Sequence, residues 1–465
     1  MLALLALLTF GASPAPSPAV RIVEDTLPSA DVRTAVAQAV RPIMKQYDIP
    51  GMAVGITVDG RHYVLDYGVA SKATGKHVDA STLFEIGSIT KTFTASLASY
   101  AQLTGKLSLS DEVSADLPSL RGTSFDRVRL VNLGTHTAGG LPLQFPDDVK
   151  NDDDAMRYYR AWKPAHPAGT YRLYSNPSIM LLGLCVANRM DTDFATLMDR
   201  ELFVPLGLRR TFLAVPKEWL SHYAQGYTDE GKPRRMSLGP LAAEAYGIRT
   251  TASDILRFID ANMNLVPTDD RLRRAIVGTH VGYYRIGMMT QDLVWEEYRY
   301  PIPLSGLLQG NSAHVIFEEN QAVPIEPPSL PQSDVVIDKT GSTSGFGAYV
   351  AFIPRRKMGV VLLANKSFPI AARVTAAYRI LTRLGATPAS LAYYGSQEGA
   401  EVRTGSQAEP QETFGFLSSV DPAACRGGFC GPAERMRRRR RFANFAADPI
   451  SIGEAERSAL NGAVR

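Results

Sequence analysis

Cysteine is scarce here, three residues in a chain of 465, and that excludes a fold held together by a disulfide framework. Cys185 stands inside the apolar stretch Ile179 to Val186, the setting of a buried, inert thiol rather than a nucleophile. Cys425 and Cys430 have no histidine nearby, so they cannot complete a tetrahedral zinc site, although two thiols can close a small disulfide in an oxidising compartment. The seven histidines never occur as close pairs, and without a ligand set neither a metal nor a cofactor is expected. Charge of one sign is lacking too. The formal net charge is +4, with Lys and Arg scattered until the C-terminal stretch, which argues against nucleic acid as a partner. No internal apolar run reaches the length of a transmembrane helix, so no membrane partner is expected.

What remains is an ordinary globular composition, 45% hydrophobic and 21% charged, with enough chain for one large core or two to three domains. Leu2 to Phe10 is an apolar run too short to span a bilayer, and Gly11, Ala12, Ser13 and Ala15 follow as small residues. This reads as a secretory signal over about residues 1–19 that delivers the rest to the periplasm. No Lys or Arg precedes the run, a pattern that fits a start codon upstream of Met1.

Periodicity orders the rest. Val32, Val36, Val40 and Ile43 mark a helix; Met52 to Val58 and His62 to Val69 read as strands joined by Asp59-Gly60, a type I′ hairpin signal. Helical patterns dominate from Phe84 to about Asn264, broken by loops such as Gly139-Gly140-Leu141-Pro142. Ala348 to Ile353 and Gly359 to Ala364 are two further strands around Pro354-Arg355-Arg356-Lys357, followed by a helix over Ala371 to Leu384. The expected fold is α+β. An antiparallel sheet drawn from about 27–83 and 300–387 is flanked by terminal helices, an all-helical part covers about 84–264, and the active site occupies the cleft between them. The catalytic region is taken as 20–387. Residues 388–465, rich in Gly, Ala, Ser, Glu and Arg and containing Arg435 and the run Arg437 to Arg441, read as a disordered, solvated extension.

Three short motifs fall at the borders of that cleft. Ser88-Ile89-Thr90-Lys91 opens a helix that continues through Phe93, Leu97, Tyr100 and Ala101 to Gly105, so Lys91 shares a face with the Ser88 hydroxyl. A serine hydroxyl needs a base to take its proton, and a lysine depressed by burial or by another cation can serve. Tyr174-Ser175-Asn176 follows, then Lys339-Thr340-Gly341, which leads through Ser342-Thr343-Ser344-Gly345-Phe346-Gly347 into a strand. Taken singly, each has an ordinary structural explanation: a solvated Lys, a Tyr at a helix start, a Gly-rich turn.

In this order, with their flanks, the motifs resemble the penicillin-recognising serine hydrolases and specifically the class C β-lactamases. The matching stretches are Leu83-Phe84-Glu85-Ile86-Gly87-Ser88 with Lys91-Thr92-Phe93-Thr94, Thr137 through Gln144, Ala243-Glu244-Ala245-Tyr246-Gly247, and Lys339 through Lys366. Similarity runs from about Leu27 to Gly385. A class A enzyme is expected to carry S-D-N where Tyr174-Ser175-Asn176 stands.

The resemblance implies a β-lactamase/transpeptidase-like fold and hydrolysis of β-lactams through an acyl-enzyme on Ser88, with a small-molecule substrate and a monomeric chain. Lys91 and Tyr174 share the proton traffic, either one being the general base, and Lys339 joins Lys91 in pulling down the Tyr174 phenol. The backbone N–H groups of Ser88 and Ser342 form an oxyanion hole, and Gln144 and Asn176 hold the substrate's side-chain amide. Lys339 and Thr340 meet its carboxylate, while Tyr246 lines the cleft. Where members commonly read N-P-A-R, this chain has Ile370-Ala371-Ala372-Arg373, so a carboxylate-side Asn is missing and Arg373 remains. Ala242 replaces a usual Asp. The competing functions on this scaffold are an esterase, a D-Ala-D-Ala peptidase and a non-turnover penicillin-binding sensor.

Overall fold

The Asp59-Gly60 turn has positive φ at both residues, 51° and 74°, as a type I′ connection requires. It joins β1 (Gly51–Val58) to β2 (Arg61–Gly68). The structure, a computed structural model, describes residues 30–385. The segment expected to be a secretory signal, Cys425, Cys430 and the Arg-rich stretch lie outside the described residues.

The hairpin forms one edge of a nine-stranded sheet. The stretch 265–299, to which periodicity assigned no element, supplies β3 (Gly282–Ile286), β4 (Met289–Gln291) and β5 (Glu296–Arg299). These are followed by β6 (Val323–Ser329), β7 (Val335–Thr343), β8 (Phe346–Ile353) and β9 (Met358–Ala364). The spatial order is β6-β3-β4-β5-β7-β8-β9-β1-β2, antiparallel throughout. The first strands of the chain therefore close onto the last, as expected, while the sheet extends further toward residue 282 than the sequence indicated.

Strand alternation separates two cores. Met52, Val54 and Ile56 of β1, with Val360 and Leu362 of β9, pack under the terminal helices α1 (Ala30–Gln46) and α6 (Ile370–Gly385). Ala53, Val350, Phe352, Val361 and Leu363 face the helical part, through α2 (Thr90–Leu103), α3 (Asn176–Arg189), α4 (Ala252–Asn262) and α5 (Asp270–Gly278). Gly55 lets α4 approach the sheet, since a Cβ there would lie 2.9 Å from the Leu256 side chain. Cys185 is free and buried in α3, and burial pushes its thiol well above the usual range, in keeping with an inert role. No helix among the described residues is long and apolar enough to cross a membrane.

Candidate active site

The cleft lies where the start of α2 meets the end of β7. Ser88 sits in a single 3-10 turn, Gly87–Ile89, that runs directly into α2. Gly87 has φ +51°, and a Cβ on it would come within 2.6 Å of the Ser342 backbone nitrogen. Only glycine lets this turn press its backbone against β7.

The helix presents Lys91 beneath the serine. Its Nζ donates to Ser88 Oγ at 2.9 Å and to the Ala245 carbonyl at 3.0 Å. Burial lowers the Lys91 ammonium to about 8, the nearby Lys339 cation adding to the effect while Tyr174 opposes it. Tyr174 immediately precedes α3, whose N-cap Ser175 accepts from the Ser178 amide at 3.0 Å.

Three cations surround the Tyr174 ring. Lys339 Nζ lies 5.0 Å from its centroid, Lys91 Nζ 5.2 Å and the Arg172 guanidinium carbon 5.7 Å. Burial raises the phenol, but Lys339 and Lys91 outweigh it, so the net shift is downward. His136 stacks on the same ring with centroids 4.4 Å apart. Burial, then the charges of Arg172, Lys91 and Lys339, hold its imidazole well below the ordinary value, so it stays neutral. Its Nδ1 accepts the Ser175 amide at 3.3 Å.

On the sheet side, Lys339 is 99% buried and lies 3.6 Å from Glu296 Oε1. That oxygen also accepts from Arg172 at 2.9 Å, and Arg172 is fixed further by Gln291 Oε1 at 2.6 Å and the Val315 carbonyl at 2.7 Å. Burial penalises the Lys339 ammonium, but Glu296, Tyr174 and Asp338 together outweigh it, so its pKa is raised. Neither Arg172, Glu296 nor His136 was singled out from sequence. Arg172, two residues before Tyr174 on the side of a two-residue strand, was the one with a positional clue.

Ser88, Gln144, Tyr174, Asn176, Tyr246, Lys339, Thr340 and Ser342 all line one cleft. Asn176 Oδ1 is buried without a partner among the described residues. Leu143, Met236, Ile316, Phe317 and Ile370 supply apolar wall, and burial raises the Tyr246 phenol to about 12. Lys91 does not itself line the cleft but lies against Ser88 and Tyr174, which do. Arg373 corrects an expectation: it is fully buried behind β7, donating to the Gly341 carbonyl at 2.9 Å, to Ser342 Oγ at 2.7 Å and to the Phe368 carbonyl. One strand carbonyl, one loop carbonyl and a serine hydroxyl accept from the guanidinium, which braces the wall from behind and does not line the cleft.

This arrangement carries a serine with a proton-accepting pair beneath it and a cation beside an apolar cleft, the equipment of acyl transfer. The family profile described as beta-lactamase matches residues 36–384. A beta-lactamase from Lysobacter lactamgenus is 51% identical over 350 residues, 75% of this chain and 91% of that protein. The crystal structure of a D-alanine carboxypeptidase AmpC from Burkholderia cenocepacia is similar with a TM-score of 0.73 and 52% identity, covering 76% of this chain and 98% of that one. A class C beta-lactamase in complex with cefoxitin superposes with a TM-score of 0.74 at 46% identity, covering 76% and 99% respectively. The chain belongs to the β-lactamase family, and its structural neighbours are class C enzymes.

Proposed function

We propose that this chain hydrolyses β-lactams by acylation and deacylation at Ser88. The observation that carries the reading is the Ser88 Oγ to Lys91 Nζ contact at 2.9 Å, with Lys91 depressed to about 8 beside a Tyr174 phenol that is itself lowered. The Ser88 oxygen attacks the lactam carbonyl while its proton passes to the Lys91–Tyr174 pair. The carbonyl oxygen takes the negative charge and is held by the Ser88 and Ser342 amides. When the intermediate collapses, the ring C–N bond breaks and the same pair returns the proton to the nitrogen. A water then attacks the ester, its proton going to the pair and on to Ser88 as the opened acid leaves.

Lys339 and Thr340 orient the substrate carboxylate, and Gln144 and Asn176 bracket the amide on its other side. Support for that bracket comes from Asn176, which lines the cleft and whose buried Oδ1 has no hydrogen-bond partner among the described residues. The apolar segment at Leu2 to Phe10 supports export to the periplasm, where a monomer would meet its substrate.

Purified protein mixed with excess cephalosporin is expected to consume many equivalents, with a transient mass adduct mapping to Ser88. Ser88→Ala should form no adduct. A stable stoichiometric adduct without turnover would instead support the peptidase reading, which the carboxypeptidase name of a relative 52% identical to this chain favours as a second activity.

A further inference from the structure

Three residues before Ser88, the motif stretch contains a carboxylate that the mechanism above does not use. Glu85 lies in the short strand Phe84–Glu85, paired with Arg249–Thr250, and is 1% exposed. Its Oε2 accepts from Thr343 Oγ1 at 2.5 Å. Its Oε1 accepts from the Met236 backbone amide at 2.9 Å and from the Tyr223 hydroxyl. These donors come from segments 138 to 258 residues away, and two of them, Met236 and Thr343, line the cleft. A buried carboxylate is costly, and an apolar side chain of similar volume often serves stability equally well or better. Convergence on the cleft walls gives this one a different role.

The two amides of the oxyanion hole sit on separate elements, Ser88 on the turn before α2 and Ser342 on β7. The turn and the strand touch through the Gly87 backbone. Glu85, three residues upstream of Ser88, reaches across to Thr343, the residue after Ser342. We propose that Glu85 is a positioning residue that clamps the two halves of the oxyanion hole through Thr343, and ties the Met236 wall to the same point. Arg373 holds Ser342 Oγ at 2.7 Å from the opposite side, so the end of β7 is braced twice. An oxyanion hole acts by donors fixed in advance, so a small loss of alignment is felt in the acylation step and not in ground-state binding.

The inference rests on the acyl-enzyme reading, and the test separates the two. Thr343→Val keeps the shape and removes the donor; Glu85→Ala removes the acceptor; Glu85→Gln can still bond the Thr343 hydroxyl, because that hydroxyl also accepts. Single-turnover acylation by a cephalosporin is expected to fall about tenfold in Thr343→Val and in Glu85→Ala, with non-covalent substrate binding unchanged. Affinity for a boronic acid, whose tetrahedral Ser88 adduct places an oxygen in the hole, should fall by the same factor. The double variant should be no slower than the worse single variant, and Glu85→Gln should recover most of the rate. Melting curves guard against misfolding, and Thr343→Val suffices if Glu85→Ala does not fold. Additive effects of the two variants, or a folded Thr343→Val protein with unaltered acylation, would overturn the clamp. A wild-type chain forming no Ser88 adduct would overturn the acyl-enzyme reading, and the clamp with it.

Discussion

The helical wall and the sheet wall of the cleft each bury a lysine against Tyr174, Lys91 from α2 at 5.2 Å and Lys339 from β7 at 5.0 Å. Both are essentially inaccessible to solvent, so burial penalises both ammonium groups alike. Yet Lys91 is lowered to about 8 while Lys339 is raised. The difference lies in the carboxylates: Lys339 has Glu296 at 3.6 Å and the charge of Asp338 to raise it, whereas Lys91 donates to Ser88 Oγ and a carbonyl and has Tyr174 as the group that opposes its lowering. The carboxylates on one wall, Glu296 foremost, thus divide two similar residues into a group that can give up its proton and a group that keeps its charge.

Activity provides the largest test of this division. Lys91→Met should reduce kcat by roughly 10³-fold or more, because it removes a member of the proton-transfer pair. Tyr174→Phe, which keeps the ring and removes the oxygen, should cause a loss of similar size. Steady-state hydrolysis of a chromogenic cephalosporin measures both. A Lys91→Met protein with turnover near wild type would leave Tyr174 as the sole base and break the comparison.

Stability should move in opposite directions for the two lysines. The folded-state value of Lys91, about 8, lies below the unfolded value near 10.4, so between them the unfolded chain binds more protons and stability rises with pH. Below that window the buried charge is destabilising by roughly 3 kcal/mol. Lys91→Met should therefore raise the melting temperature at pH 7, with the gain fading as pH approaches 10. Lys339, raised by Glu296, contributes stability that is present below the unfolded value and lost as pH rises through its higher folded value. Lys339→Met should lower the melting temperature at pH 7. Thermal denaturation across this pH range checks both signs.

The pattern behind these signs was only half visible in the sequence. Ser88 and Lys91 are one helical turn apart, and Tyr174 and Lys339 carry their own short motifs, so local spacing and flanks exposed them. The sheet and terminal helices were equally legible where strands are continuous apolar runs, as in β1 and β9. Glu296 was not. It lies in a stretch read as no element, and it meets Arg172 only across 124 residues of chain. Glu85 stood inside a quoted motif, but its partners at Met236 and Thr343 come from distant segments, and no local period encodes such a meeting. Arg373 was expected at the ligand from the resemblance alone, and the structure shows it buried, donating to the Gly341 and Phe368 carbonyls and to Ser342 Oγ.

Removing the discriminating carboxylate should make the two walls alike. In Glu296→Gln, Lys339 loses the partner that raises it, so its cation should be lost at lower pH than in the wild type. Glu296 also opposes ionisation of Tyr174, so the phenol should fall further. The expected result is a several-fold rise in KM for carboxylate-bearing substrates on the alkaline side, with little change near neutrality. A pH profile of kcat/KM that superposes on the wild type would mean that Arg172 alone sets the charge of that wall.

The smallest effect is expected at Ile370, where α6 begins and the cleft wall departs from the family's usual Asn. Its side chain is 91% buried yet lines the cleft with Ser342 and Ile316, so it touches the carboxylate side without offering a donor. Ile370→Asn adds an amide next to Ser342, and Arg373 is already committed to that serine's Oγ, leaving the new group free to reach the ligand. The gain should be about 1 kcal/mol or less in kcat/KM, the worth of one added hydrogen bond. Because the contact exists in the ground state as well as the transition state, the change should appear in KM more than in kcat. Unaltered kcat/KM across several cephalosporins would show that Ile370 packs against the wall and not against the substrate, and would leave Lys339 and Thr340 as the carboxylate's contacts.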